Sequence, residues 1–140
     1  MTTKTKAMSL ADLNARAPSD EGFTFEYILP DNTASGVTFT VLGANSKVVD
    51  DAINESINAG RRRAAALAAD AKPGRPLDIT PIESDIADNQ RLTAIRLIGW
   101  SLSDPCTPEN ALELVRTNPH AAQQIVERSN NLANFLRRRG

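Results

Sequence analysis

The hydrophobic and polar positions of residues 23–42 alternate with the two-residue period of β-strands. Phe23, Phe25 and Tyr27 are separated by single residues, and the alternation returns over residues 37–42 after the turn-forming segment DNTASG. The pattern predicts a β-hairpin with one aromatic face. Because an isolated hairpin is only marginally stable in water, we expect this face to pack against a helix or against another chain.

A long helical pattern follows the hairpin. Asn45 and Ser46 are candidate N-caps, and from about Lys47 apolar or small residues recur in steps of three and four as far as Ala71. Gly60 is a candidate break, because glycine costs about 1 kcal/mol relative to alanine inside a helix. The segment KPGRP then ends the pattern.

Further helix starts are marked by a capping residue followed by proline, which is favoured at the first helical position. They are Thr80-Pro81, Thr107-Pro108 and Asn118-Pro119. The first predicts a helix that runs to about Trp100, with Ile95 and Ile98 on or near its inward face. The region beyond KPGRP is therefore predicted to be helical throughout.

The predicted fold class is α+β, with an N-terminal β-hairpin followed by a mostly α-helical domain of about four helices. Residues 1–20 are polar and small and predict a flexible N-terminal arm. Residues 21–72 carry the hairpin and the long helix, and residues 73–79 form a linker. Residues 80–140 form a helical C-terminal region that packs as one domain with the preceding part.

Composition is that of an ordinary globular protein of about one domain. The 140 residues are 41% hydrophobic and 24% charged, with a formal net charge of −1. A single cysteine rules out a disulfide within the chain and fits a reducing compartment. The first residues lack an apolar stretch of signal-peptide length, and no segment approaches the roughly 20 apolar residues of a membrane span. We therefore expect no membrane partner and a cytoplasmic location.

The chain offers little for catalysis or for metal binding. It has one cysteine and one histidine, no phosphate-binding glycine motif and no paired metal-ligand spacing. Cys106 and His120 are a conceivable nucleophile pair, but cysteines more often pack as small apolar side chains. We predict no enzyme activity, no catalytic residue, no cofactor and no metal.

Two arginine runs, Arg61–Arg63 and Arg137–Arg139, are the best argument for nucleic-acid binding. Single-strand binding modules usually combine positive grooves with stacking rings, whereas only Phe135 lies near either run and the net charge is negative. We interpret the runs as solvated helix surface and helix end, and expect no nucleic-acid partner.

A set of short motifs stands in order along residues 22–136. They are Val41-Leu42-Gly43-Ala44-Asn45-Ser46-Lys47, the Arg61–Arg63 cluster, Ile98-Gly99-Trp100, Thr107-Pro108-Glu109-Asn110-Ala111, Asn118-Pro119 and Asn134-Phe135-Leu136. In their order and spacing, these motifs resemble the pattern found in tail assembly chaperones of long-tailed bacteriophages and prophages. In that family the Gly-Trp pair ends a helix, and the loop after it is often longer and more acidic than SLSDPC.

The resemblance implies a non-enzymatic helper that works in the host cytoplasm and is absent from the mature virion. Its partners would be the tape measure protein, whose hydrophobic helices it keeps soluble, and the tail tube protein, which it helps to recruit. A second copy of the chain is another candidate partner, since the hairpin has an edge to offer. A structural virion component and a small nucleic-acid-binding regulator are the alternatives.

Aromatic side chains are the candidates for partner binding. They are Phe23, Phe25, Tyr27, Trp100 and Phe135. The alternative for each is packing in the core of the chain itself. For Trp100 and Phe135 we favour packing in the core. For Phe23, Phe25 and Tyr27 on the hairpin, core packing and partner binding are equally supported.

Overall fold

The computed structural model describes residue 7, residues 9–70 and residues 82–136. The predicted linker, the Thr80-Pro81 helix start and the Arg137–Arg139 run lie outside the described residues.

The described residues combine one small sheet with helices, which confirms the predicted α+β class. In chain order the elements are α1 (Arg16–Glu21), β1 (Phe23–Ile28), β2 (Ala34–Val41), α2 (Lys47–Asp70), α3 (Ile82–Ala94), β3 (Leu97–Trp100), α4 (Pro108–Thr117) and α5 (Pro119–Asn130). Short 3-10 turns lie at Ala11–Leu13 and Leu132–Asn134.

The sheet has the order β1-β2-β3, with both pairs antiparallel. Phe39 of the middle strand stands opposite Phe25 on one side and Trp100 on the other. The predicted hairpin is therefore confirmed, and its aromatic residues share one face because alternate side chains of a strand point the same way.

The turn between β1 and β2 is held by Asp31. Its Oδ1 accepts hydrogen bonds from the Thr33 hydroxyl at 2.6 Å and from the Thr33 backbone N–H at 3.1 Å. The hydroxyl bond, followed by the backbone bond, lowers the pKa of Asp31. Asn32 between them has a φ of 67°, a left-handed conformation that asparagine tolerates better than most residues. The turn predicted at DNTASG is therefore present but shorter than expected, since it contains Asp31, Asn32 and Thr33, whereas Ala34 already begins β2.

Strand β3 shows that the prediction of a helix running to about Trp100 is wrong. Helix α3 ends at Ala94, and Leu97–Trp100 pairs with β2 instead. β-Branched and aromatic side chains suit a pleated surface, and the pairing satisfies backbone groups along a strand edge that a hairpin alone leaves open. Gly99 pairs with Thr40, which is far away in sequence, so no local pattern identifies this partner.

Helix α1 corrects the prediction that all of residues 1–20 form a flexible arm. Ser19 is fully buried, and its carbonyl accepts a hydrogen bond of 3.0 Å from the N–H of Gly43. Nη2 of Arg16 lies 3.3 Å from Oδ2 of Asp50 in α2. These contacts hold residues 16–21 against the body of the protein, although their polar composition does not predict it.

Three predicted helix starts are confirmed by their capping bonds. Ser46 Oγ accepts from the N–H of Val49 at 3.1 Å, Thr107 Oγ1 from Asn110 at 3.2 Å, and Asn118 Oδ1 from Ala121 at 3.1 Å. Helix α2 continues through Gly60 without the break considered above.

The core lies between the aromatic face of the sheet and helices α4 and α5. Its buried residues are Phe25, Tyr27, Phe39, Val41, Ala94, Leu97, Ala111, Val115, Ala121, Ile125 and Phe135. Phe135 closes this core after α5, with its ring 6.1 Å from that of Phe23 in an edge-on arrangement. Helix α3 touches the core mainly through Ala94, and the surface between α3, β3 and α4 remains open.

Candidate partner-binding groove

An apolar groove of about 550 Å³ runs between α3, β3 and α4. Its lining residues are Arg91, Ala94, Ile95, Leu97, Ile98, Cys106, Thr107, Pro108, Glu109 and Leu112. Most of these side chains are aliphatic, and the charged ones are limited to Arg91 and Glu109. We refer to this surface as the α3–α4 groove.

The groove exists because the chain turns sharply between α3 and β3. Ala94 and Leu97 point into the core, whereas Ile95 and Ile98 are 39% and 45% exposed. Helix α3 ends at Ala94, residues 95–96 form a turn, and Leu97–Trp100 pairs with β2 as a strand. Two isoleucines that the predicted helix would have turned inward are therefore presented at the surface.

Hydrogen bonds in the loop before α4 fix the opposite wall. Asn110 donates from Nδ2 to the carbonyl of Pro105 at 2.9 Å, and Trp100 donates from Nε1 to the carbonyl of Asp104 at 2.7 Å. Together with the Thr107 cap, these bonds make the SLSDPC loop a defined connection. Cys106, which ends this hydrogen-bonded loop, and Thr107 and Pro108, which follow it directly, line the groove on its α4 side.

Cys106 lines the groove as a half-buried thiol. Its Sγ lies 4.0 Å from the carbonyl oxygen of Leu97, and burial raises its pKa. A thiol with a raised pKa is a weak nucleophile near neutral pH, because the thiolate is the reactive form. Burial of Cys106 therefore disfavours its nucleophilic thiolate form.

His120 belongs to a different part of the molecule. Its Nδ1 lies 3.0 Å from the Tyr27 hydroxyl and 3.4 Å from Nε2 of Gln124. Asn118 also donates to the Tyr27 hydroxyl, at 3.3 Å. Among the hydrogen bonds of the described residues, none joins Cys106 to His120, so the structure does not form the conceivable nucleophile pair.

The aromatic candidates for partner binding are mostly core residues. Phe25 and Tyr27 are each 7% exposed and Phe135 is 2% exposed, because α5 and the segment after it cover the hairpin face. Phe23 and Trp100 are half-buried on opposite edge strands of the described sheet. The structure therefore places three of the five candidates in the core and does not bring the five together on one surface.

The residues that sequence reasoning missed are Ile95 and Ile98. Both fitted the inward face of a longer helix, so their exposure was not predicted. The available signal was the run from Ile95 to Trp100, which is rich in β-branched and aromatic residues and contains Gly99. Such a run is equally consistent with a short strand.

The described residues form neither a metal-binding cluster nor a membrane-spanning helix. Within the part of the chain that the structure describes, no three His, Cys, Asp or Glu side chains are grouped so as to hold a metal ion. None of the described helices is long and apolar enough to cross a membrane.

In comparisons with known proteins, the chain matches no protein-family model, no curated protein and no solved structure.

Proposed function

We propose that this chain is a non-enzymatic assembly chaperone for a bacteriophage tail. It binds the tape measure protein in the host cytoplasm, keeps its hydrophobic helices soluble, helps to recruit tail tube subunits and is absent from the finished virion. The α3–α4 groove is the observation that carries this proposal. The ordered motifs of residues 22–136 supply the choice of client.

The groove has the chemistry that a helical client requires. Amphipathic helices bind in apolar grooves through side chains spaced three and four residues apart. Full burial of one aliphatic side chain contributes roughly 1.5–3 kcal/mol before the costs of association. A groove that holds only a few such side chains therefore gives reversible binding, which suits a chaperone that must release its client.

The proposal places client contact on aliphatic residues instead of the predicted aromatic ones. Ile95 and Ile98 are exposed where Phe25, Tyr27 and Phe135 are buried. One motif also has a different setting from that implied by the resemblance, since Gly99-Trp100 lies in β3 and not at a helix end. Of the Ile98-Gly99-Trp100 motif, Ile98 lines the groove.

Co-expression with the tape measure protein encoded by the same phage or prophage tests the proposal. We expect the tape measure protein to move from the insoluble to the soluble fraction and to co-purify with this chain. The Ile98→Glu variant should reduce co-purification at least about tenfold, since it places a charge in the groove where an aliphatic contact is lost.

Ile57→Glu is the matched control. Ile57 is 49% exposed on α2 and does not line the groove, whereas Ile98 is 45% exposed. The control should bind as the wild type does. The proposal is wrong if the tape measure protein stays insoluble with the wild type, or if both variants bind it equally. Recovery of this chain from purified virions would instead support a structural virion component.

A further inference from the structure

A second concavity, of about 370 Å³, borders a neighbouring face of α4. Its lining residues are Trp100, Leu102, Asp104, Asn110, Glu113, Leu114 and Thr117. We call it the Trp100 cleft. It shares no lining residue with the α3–α4 groove, so it can be occupied independently.

The Trp100 ring is held in place by its own polar atom. Its Nε1 donates to the carbonyl of Asp104 at 2.7 Å, and its backbone pairs with Phe39. The indole N–H is therefore already used. The part of the ring that lines the cleft has only its aromatic surface to offer a ligand.

The charged groups of the cleft are all negative. Asp104 and Glu113 are exposed, and neither takes part in the ion pairs formed among the described residues. Within the part of the chain that the structure describes, no lysine or arginine lines the cleft. An aromatic surface beside two carboxylates that lack a cationic partner among the described residues is complementary to a cation.

We infer that the Trp100 cleft binds an arginine side chain of a partner polypeptide. A guanidinium group is planar and stacks on an indole, while its N–H groups form paired hydrogen bonds with a carboxylate. Lysine can supply the charge but not the planar stacking. The inference goes beyond the proposed chaperone function and does not require that the tape measure protein be the client.

Fluorescence titration tests this site directly, because Trp100 is the single tryptophan of the chain. The probe is the peptide acetyl-Ala-Ala-Arg-Ala-Ala-amide, compared at constant ionic strength with the same peptide carrying citrulline, which keeps the planar group without the charge. We expect a saturable change in Trp100 emission with the arginine peptide. The citrulline peptide should bind roughly threefold to tenfold more weakly.

Carboxylate-to-amide variants then test which acidic side chains contact the arginine of the peptide. Glu113→Gln and Asp104→Asn should each weaken binding of the arginine peptide roughly threefold. Glu127→Gln, which removes an exposed carboxylate from α5 outside the cleft, should leave it unchanged.

Equal binding of the arginine and citrulline peptides, or no saturable change in emission, would overturn the inference. So would equal losses in Glu113→Gln and Glu127→Gln. The peptide carries no apolar side chain larger than alanine and does not probe the α3–α4 groove. Failure at the cleft and failure to bind the tape measure protein are therefore separate results.

Discussion

The side-chain amide of Gln124 binds both hydrogen-bonding groups of the Ile28 backbone. Its Nε2 donates to the Ile28 carbonyl at 2.7 Å, and its Oε1 accepts from the Ile28 N–H at 3.1 Å. Ile28 ends β1, which is an edge strand of the described sheet. A primary amide has the same donor and acceptor as a peptide group. Gln124 therefore forms with Ile28 the two hydrogen bonds that a neighbouring strand would form, and these bonds connect α5 to the edge of the sheet.

Replacement of Gln124 by leucine should lower the free energy of unfolding by about 1–3 kcal/mol, because two partly buried backbone groups lose their partner. Urea denaturation measures the change. The control is Gln123→Leu on the exposed side of α5, whose amide bonds only to Glu127 among the described contacts; it should alter stability by less than about 0.5 kcal/mol. Equal losses in the two variants would contradict the strand-like role of Gln124.

Gly43 allows α1 to approach the segment that follows β2. A Cβ atom at this position would lie 2.3 Å from Oγ of Ser19 and 2.6 Å from its Cβ, closer than these atoms can pack. Gly43→Ala should therefore displace α1 or force a backbone shift, and lower the free energy of unfolding by about 1–3 kcal/mol.

Gly60→Ala is the matched substitution for comparison. Gly60 lies inside α2, and among the described residues beyond its chain neighbours the closest side-chain atom to a Cβ there is Arg63 Nη2, at 4.0 Å. Alanine should stabilise the protein by about 0.5–1 kcal/mol through its higher helix propensity. Chemical denaturation measures the free energy of unfolding of both variants. The two changes should have opposite signs if the close approach of Ser19 is what requires glycine at position 43. A loss of the same size in both would assign the effect to glycine in general.

Asp31 provides a local test of the hairpin turn. The Thr33 hydroxyl is the main reason why the pKa of Asp31 is low, so Thr33→Val should raise this pKa toward its ordinary value. The hydrogen bond from Thr33 to Asp31 stabilises the fold at pH values above the pKa that Asp31 has in the unfolded chain. This contribution is lost as the pH falls through the pKa of Asp31 in the folded chain. NMR titration of the Asp31 carboxyl measures the shift. An unchanged pKa in the variant would show that the hydroxyl bond is not its cause.

The features that sequence predicts here are local ones. The alternation around Phe25 predicts the hairpin, and a capping residue before proline predicts the starts of α4 at Thr107 and of α5 at Asn118. Each of these signals is read within a few residues, because turns and caps are satisfied by their own neighbours. The α+β class follows from their order along the chain.

The candidate site could not be predicted in the same way because it depends on distant contacts. Strand β3 forms by pairing Gly99 with Thr40, and this pairing is what exposes Ile95 and Ile98. The burial of Tyr27 likewise depends on α5, which brings His120 to its hydroxyl. Periodicity identifies which residues are apolar, whereas the packing partner decides whether they form core or surface.

Cys106 allows occupancy of the α3–α4 groove to be measured by its reactivity. Burial raises its pKa, so the thiolate form is disfavoured in the folded protein. The rate of alkylation by iodoacetamide should rise with pH through a higher midpoint in the native chain than in the urea-unfolded chain. The raised pKa also links Cys106 to stability. At pH values below the pKa that Cys106 has in the unfolded chain, its ionisation leaves the free energy of unfolding unchanged. This free energy falls as the pH rises from there through the pKa of Cys106 in the folded chain.

A ligand that seats aliphatic side chains in the groove should slow this alkylation further at any fixed pH, because it removes the remaining access of solvent to the thiol. The tape measure protein should therefore protect Cys106 in the wild type and in the Ile57→Glu control, and fail to protect it in Ile98→Glu. A native midpoint equal to the unfolded one would show that the thiol is not desolvated. Protection that survives Ile98→Glu would place the client elsewhere on the surface, since the reactive group and the substituted residue line the same groove.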